Sequence, residues 1–247
     1  MKSQTADGRG GLMETADVTA KHKPVLVEEC LDFLAPAFGR SVEAPVMVDA
    51  TLGLGGHTEA ALVRFPTLQV IGIDRDPSAL EQATRRLDRF GSRFVPFHGT
   101  YDQIADALEG RKADGILMDL GVSSMQLDER ERGFSYAWDA PLDMRMDQSS
   151  GVTAAELLNE ADEGELASII WKYSDERFAR RIAKEIVRRR EIAPLTTTSE
   201  LVDVVRQAVP APARRTGGNP AKRTFQAIRI AVNSELSILE DALPRAL

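Results

Sequence analysis

Cysteine is almost absent from this 247-residue chain: Cys30 stands alone, which excludes an internal disulfide framework. Histidine is scarce as well. His22, His57 and His98 are scattered and accompany no His/Cys cluster, so no metal site is expected. No apolar run approaches the ~18 residues that a membrane span needs. Residues 1–20 have no apolar stretch of the secretory-signal kind. They are polar and aperiodic, and a disordered N-terminal tail is expected there. These absences point to a soluble protein of a reducing compartment, the cytoplasm, with no membrane partner. Excess positive charge is lacking too. The formal net charge is −7, which taken alone argues against a nucleic-acid partner.

The distribution of charge says something different. Residues 1–170 hold 16 Lys/Arg and 29 Asp/Glu, a net of −13, whereas residues 171–229 hold 14 and 6, a net of +8. A local basic patch can steer a polyanion whatever the total charge. A solvated helix face is the plainer reading of the same residues. With 43% hydrophobic residues the chain can bury a sizeable core, as one large domain or as a domain with an insertion.

The most informative stretch is VMVDATLGLGGH, residues 46–57. Small and apolar residues lead into Asp49, a turn carries Gly53, Gly55 and Gly56, and the helix-like run TEAALVRF follows at once. This order reads as buried strand, tight turn and helix, with bare backbone and unpaired helix N–H groups offered to a ligand. The spacing is G-x-G-G, with Thr58 where the dinucleotide fingerprint G-x-G-x-x-G would have its last glycine. S-adenosyl-L-methionine (SAM) fits that pattern better than NAD.

Three further short apolar runs end in polar groups. QVIGID ends at Asp74, 21 residues after Gly53, where a carboxylate can accept from both ribose hydroxyls. RFVPFHG is followed by Tyr101, whose ring could pack on adenine or simply be half-buried. ADGILMD ends at Asp119. Strands alternating with helices imply a parallel doubly wound sheet, with Asp49, Asp74, Tyr101 and Asp119 on its ligand-binding edge. Asp76 before Pro77 reads as a helix N-cap.

The first helix is expected to bury Val27, Leu31 and Leu34, with Cys30 in its core, and to close before Pro36. Residues 125–150 show no clean period, yet Phe134, Tyr136 and Trp138 make disorder a poor description. Beyond them the pattern is helical. A helix from about Ser174 would bury Phe178, Ile182 and Ile186 and expose Arg177, Arg180, Arg181, Lys184 and Arg188. A long helix from Asn219 would place Phe225, Ile228, Val232, Leu236 and Leu239 on one face. The expected organisation is a tail over 1–20, an α/β domain over 21–130, a helical insertion over 131–218, and a helix over 219–247 returning to the first domain.

Five motifs in order carry a family resemblance: HKPVL at 22–26, DATLGLGGHT at 49–58, DLGVSSMQLD at 119–128, RGFSYAWDAPLDMRMD at 132–147 and NPAKRTFQAIRIAVNSEL at 219–236. Together they resemble the bacterial RsmH (MraW) family, SAM-dependent methyltransferases acting on a cytosine N4 of small-subunit (16S) ribosomal RNA. The resemblance implies a class I methyltransferase (Rossmann-like) fold with a helical insertion, SAM as cofactor and ribosomal RNA as partner. It assigns Gly55, Gly56 and His57 to the amino-acid end of SAM, Asp74 to the ribose, Tyr101 to the family's aromatic position, and Asp119 and Gln126 to the rest of the cofactor set. Asp119 is also the candidate catalytic group. Trp138, Lys222 and Arg223 are candidates for RNA contact; the alternative for Trp138, as for Tyr136, is to anchor the insertion.

Two departures stand out. Ala140 replaces the glycine usual before PLDMR, tolerable unless the backbone needs positive φ. The chain ends at Leu247 where family members continue into further strands of a sheet ordered 3-2-1-4-5-7-6. The expectation is a C-terminally truncated member with only 3-2-1-4, an exposed fourth strand, impaired stability and little or no activity. The alternative functions are a non-catalytic RNA-binding fragment and an NAD-dependent oxidoreductase.

Overall fold

The computed structural model describes residues 24–40, 44–214 and 218–246. The tail expected over 1–20, and His22, lie outside the described residues.

The chain opens with helix α1 (Val27–Phe38), then alternates strand and helix: β1 (Val46–Asp49), α2 (Gly56–Arg64), β2 (Gln69–Asp74), α3 (Pro77–Leu87), β3 (Phe94–His98), α4 (Ile104–Leu108) and β4 (Gly115–Leu117). The strands form one parallel sheet of order β3-β2-β1-β4. All four residues of β1 are buried, as a parallel strand covered on both faces requires. The register pairs Asp49 with both Gly72 and Leu117, and Asp74 with His98, so the strand C-termini share one edge. Among the described residues β4 has one strand neighbour, β1, and its outer side is a sheet edge.

The rest is helical: α5 (Ser124–Asp128), α6 (Ala154–Glu160), α7 (Glu163–Ser174), α8 (Ala179–Arg190), α9 (Thr198–Ala208), α10 (Ala211–Arg214), α11 (Lys222–Val232) and α12 (Glu235–Arg245). Hydrophobic burial divides in the same way. Val27, Leu31, Leu62, Leu68 and Leu87 pack one face of the sheet, and Val48, Ile71, Ile73 and Ile104 the other. A separate helical core gathers Leu142, Leu158, Leu166, Ile170, Ile182, Ile186, Leu201, Phe225 and Ile228.

Several sequence expectations need correction. Helix α1 does not stop before Pro36 but carries it and ends at Phe38, with the Gly39 N–H on the Ala35 carbonyl. Proline there removes one N–H bond near the terminus, where the helix frays anyway. Cys30 is half-buried rather than a core residue. Helix α8 begins at Ala179 rather than near Ser174. Asp175 adopts φ 50° and ends α7, and the Glu176 carboxylate accepts from the Phe178 N–H.

The single long helix expected over 219–247 is two helices, broken where Ser234 takes φ 51°. Apolar spacing continues through the break, but the two stripes do different work. Phe225 and Ile228 of α11 join the helical core, whereas α12 packs on α4 and the turn at Tyr101–Gln103; Leu236 remains exposed. Ala140 has no positive φ, so its methyl group is accommodated, with its N–H and carbonyl both bonded to Thr198. Among the described residues no helix is long and apolar enough to cross a membrane.

Candidate functional site

A cavity of about 350 Å³ opens at the C-terminal edge of the sheet. That size suits a drug-sized organic ligand. Its floor is the β1–α2 turn. Gly56 lies so close to Pro24 that a Cβ would stand 2.3 Å from the proline Cγ, so a side chain there would force the two apart. His57 is buried, and its Nε2 lies 2.9 Å from the Val25 carbonyl, which fixes the segment before α1 against the turn. Gly55 does not line the cavity. It sits behind the turn, against Leu87 and Ala83 of α3.

Asp74 forms the wall at the end of β2. Its Oδ2 accepts from the Gly53 N–H at 2.7 Å and its Oδ1 from the Asp76 N–H at 2.8 Å. Each oxygen keeps lone-pair capacity for a ligand hydroxyl. Burial pushes the carboxyl up to about 6 against these bonds, which favour the charged form. Tyr101 stands opposite. Its hydroxyl donates to the Glu235 carbonyl at 2.9 Å, so the ring is held by the start of α12. Asp119 follows β4 at the mouth, exposed, with its backbone N–H on the Thr51 hydroxyl at 2.7 Å. Gln126 is buried in the wall. Its Oε1 accepts from the Ser123 N–H as a helix cap and its Nε2 donates to Asp76 Oδ2 at 3.2 Å.

The cavity therefore brings Gly56, His57, Asp74, Tyr101, Asp119 and Gln126 together. Asp49 does not join them, contrary to the expectation that it faces the ligand edge. Its carboxyl is buried under the turn, accepting from the Thr58 hydroxyl at 2.7 Å and the Thr51 N–H, and desolvation pushes its pKa up.

Trp138, Lys222 and Arg223 lie elsewhere. Trp138 is half exposed with the Arg130 guanidinium 3.9 Å over its ring, and its carbonyl accepts from the Thr198 hydroxyl. Lys222 and Arg223 border a second hollow of about 540 Å³, beside Arg177, Phe178 and Gln226. Tyr136 packs edge-on against Phe225 in the helical core, 5.8 Å between centroids, which is an anchoring contact.

Sequence reasoning missed several residues that shape the cavity. Arg75, Arg86 and Met146 line it. Arg86 pairs with Glu59 beside the turn. Arg132 forms a buried ion pair with Asp76 at 2.9 Å, and the Asn233 amide holds the Met144–Met146 segment. The signal available was thin: a buried arginine inside a motif otherwise full of aromatics, and an asparagine inside an apparently continuous helix.

Comparison with known proteins gives a consistent result. The MraW methylase family profile matches residues 19–247. A Kocuria rhizophila protein named Ribosomal RNA small subunit methyltransferase H is 59% identical over 237 residues, covering 95% of this chain and 72% of the relative. A protein of the same name from Beutenbergia cavernae is 59% identical, with 94% and 70% covered. One from Mycobacterium avium is 58% identical, with 92% of this chain and 61% of the relative covered.

Proposed function

The chain belongs to the MraW methylase family, and on that footing we propose that it transfers a methyl group from S-adenosyl-L-methionine to the N4 of a cytidine in 16S ribosomal RNA of the small ribosomal subunit, in the cytoplasm. The carrying observation is the single cavity that gathers the glycine turn, Asp74, Tyr101, Asp119 and Gln126 at the strand C-termini. The residues fit the cofactor. The turn offers bare backbone for the amino-acid end near His57, Asp74 accepts from the ribose hydroxyls, and the Tyr101 ring offers a face for the adenine.

The cofactor supplies an already electrophilic methyl group on its sulfonium. The protein must supply a competent nucleophile in line with it. The cytosine N4 lone pair is delocalised into the ring, so an acceptor on its N–H hydrogens restores electron density. Asp119 stands at the mouth for that work, its backbone pinned to Thr51. Orientation of the base against the methyl group provides much of the remaining acceleration. The half-exposed Trp138, outside the cavity with Arg130 over its ring, is a candidate for RNA contact away from the reacting base. Arg177, Arg180, Arg181 and Lys184 on and beside α8, with Lys222 and Arg223, form the exposed cationic surface for RNA phosphates.

Two outcomes test this reading. Transfer of a radiolabelled methyl group from SAM to isolated small ribosomal subunits should be detectable, and Asp119→Ala should lower kcat about 100-fold, within the range of general base catalysis. Affinity for S-adenosyl-L-homocysteine should change less than about threefold, because Asp74, Tyr101 and the turn remain. Lost cofactor binding in the variant would instead make Asp119 a cofactor ligand.

A pH profile gives an independent check. Because the Asp74 pKa is raised to about 6, the cavity holds a neutral carboxyl below that pH and an anion above it. Ribose hydroxyls donate to the anion, so S-adenosyl-L-homocysteine should bind more tightly as pH rises through about 6. Folding stability has the opposite trend. The folded state binds the extra proton between the unfolded value of 3.8 and about 6, so this group's contribution to stability is lost across that window as pH rises. Calorimetric titration between pH 5 and 8 reads the first effect; a flat profile would remove Asp74 from ribose contact.

A further inference from the structure

The tripeptide Asp74-Arg75-Asp76 sends its three side chains to three different parts of the molecule. Asp74 holds the glycine turn through the Gly53 N–H. Arg75, which lines the cavity, donates from Nη1 to the Asn233 carbonyl at 2.6 Å, at the joint between α11 and α12. Asp76 caps α3 through the Ser78 N–H, accepts from Gln126, and pairs with Arg132.

The far ends of these contacts meet. Arg132 Nη2 donates to the carbonyls of Arg145 and Met146, at 3.1 and 2.7 Å. The Met146 N–H donates to Asn233 Oδ1 at 2.7 Å, while Asn233 Nδ2 donates to the Met144 carbonyl at 2.7 Å. Met144 itself is fully buried at φ 59°, a strained conformation for a non-glycine residue. The bonds therefore close a ring, from Arg75 through Asn233, Met146 and Arg132 to Asp76, one residue from its start. Asn233 is 2% exposed and the Asp76–Arg132 pair is buried. A buried charge pair of this kind is weak evidence for stability and better evidence for a specified geometry.

We infer that Arg132 and Asn233 are positioning residues for methyl transfer. They set Met146, a cavity-wall residue, and with it the path of the 125–146 segment, relative to the same tripeptide that holds the cofactor turn. Nothing in their geometry requires them to touch cofactor. Removing either should leave the cofactor in place and the acceptor base misaligned.

The inference rests on the methyltransferase reading, and the experiment separates the two. Asn233→Ala should lower kcat at least tenfold at a temperature where circular dichroism reports a folded protein, with the Kd of S-adenosyl-L-homocysteine within twofold of wild type. Arg132→Lys keeps the charge opposite Asp76 but loses the fork that reaches two carbonyls; it should fall between wild type and Asn233→Ala, and it serves should the latter not fold. Hydrogen exchange supplies a readout independent of turnover. The Met146 amide should exchange at least tenfold faster in Asn233→Ala, with the Gly53 amide unchanged. A kcat within twofold of wild type in the folded variants, or a loss expressed wholly in cofactor affinity, overturns the inference. Wild-type protein that binds no S-adenosyl-L-homocysteine overturns the methyltransferase reading instead, and leaves the exchange prediction to be judged alone.

Discussion

Replacing Asp74 with alanine should weaken S-adenosyl-L-homocysteine binding by at least ~100-fold, the largest loss expected from any single side chain in the cavity. The reason is that Asp74 does two jobs with one carboxylate. It accepts from the Gly53 and Asp76 N–H groups, so it shapes the turn on one side and starts α3 on the other. Alanine leaves both donors without their partner in a site that is largely shielded from water, at about 1–3 kcal/mol each. It also removes both proposed ribose contacts. Asp74→Asn should be intermediate, because its carbonyl can serve one N–H while its amide nitrogen faces the other. Calorimetric titration of both variants checks the order. A Kd for the alanine variant within tenfold of wild type would mean that the turn holds its shape without Asp74.

The second large effect concerns folding. Gly133 has φ 73°, and a Cβ there would lie 2.2 Å from the Pro141 carbonyl oxygen and 3.0 Å from the Asp143 nitrogen. Both obstacles are backbone, in the segment that Arg132 and Asn233 hold, so neither can swing aside. Strain and overlap together should cost about 3 kcal/mol, a fall in melting temperature of roughly 6–12 °C for a chain of this size. Gly151→Ala is the control. It has φ 79° with no atom near the added methyl group, so backbone strain acts alone and the fall should be roughly a third as large. Differential scanning calorimetry distinguishes them, and equal shifts would mean that the 133–143 crossing relaxes.

Much of this architecture is legible in the sequence, for identifiable reasons. The strand-turn-helix unit announces itself because a buried parallel strand, a glycine turn and a helix start must follow one another within a dozen residues. Asp74 is found by its distance from Gly53 because the β2 terminus must lie beside the β1 turn, and the 2.7 Å bond between them is that constraint made visible. Asp49 misleads because its position at a strand end looks like Asp74's. Burial on both faces of β1, and a threonine hydroxyl nearby, turn it inward instead. The joint at Asn233 is hidden because Val232, Leu236 and Leu239 continue a helical spacing across it. The helix breaks at Ser234, with φ 51°, just after Asn233, whose side-chain amide is bonded to Met144 and Met146, 89 and 87 residues away. Arg132 is hidden for the same reason, since its partner Asp76 belongs to a different part of the chain.

The joint itself has a consequence in polymer terms. The chain leaves the sheet after β4 at Leu117 and comes back through Asn233 and Ser234, so the helical core is a closed loop of roughly 115 residues and not a pendant arm. Closure entropy grows only with the logarithm of loop length. By that logarithm a loop this large costs about 2 kcal/mol more to close than a short surface excursion, and its returning end is held by the Arg75–Asn233 and Tyr101–Glu235 bonds and by α12 on α4.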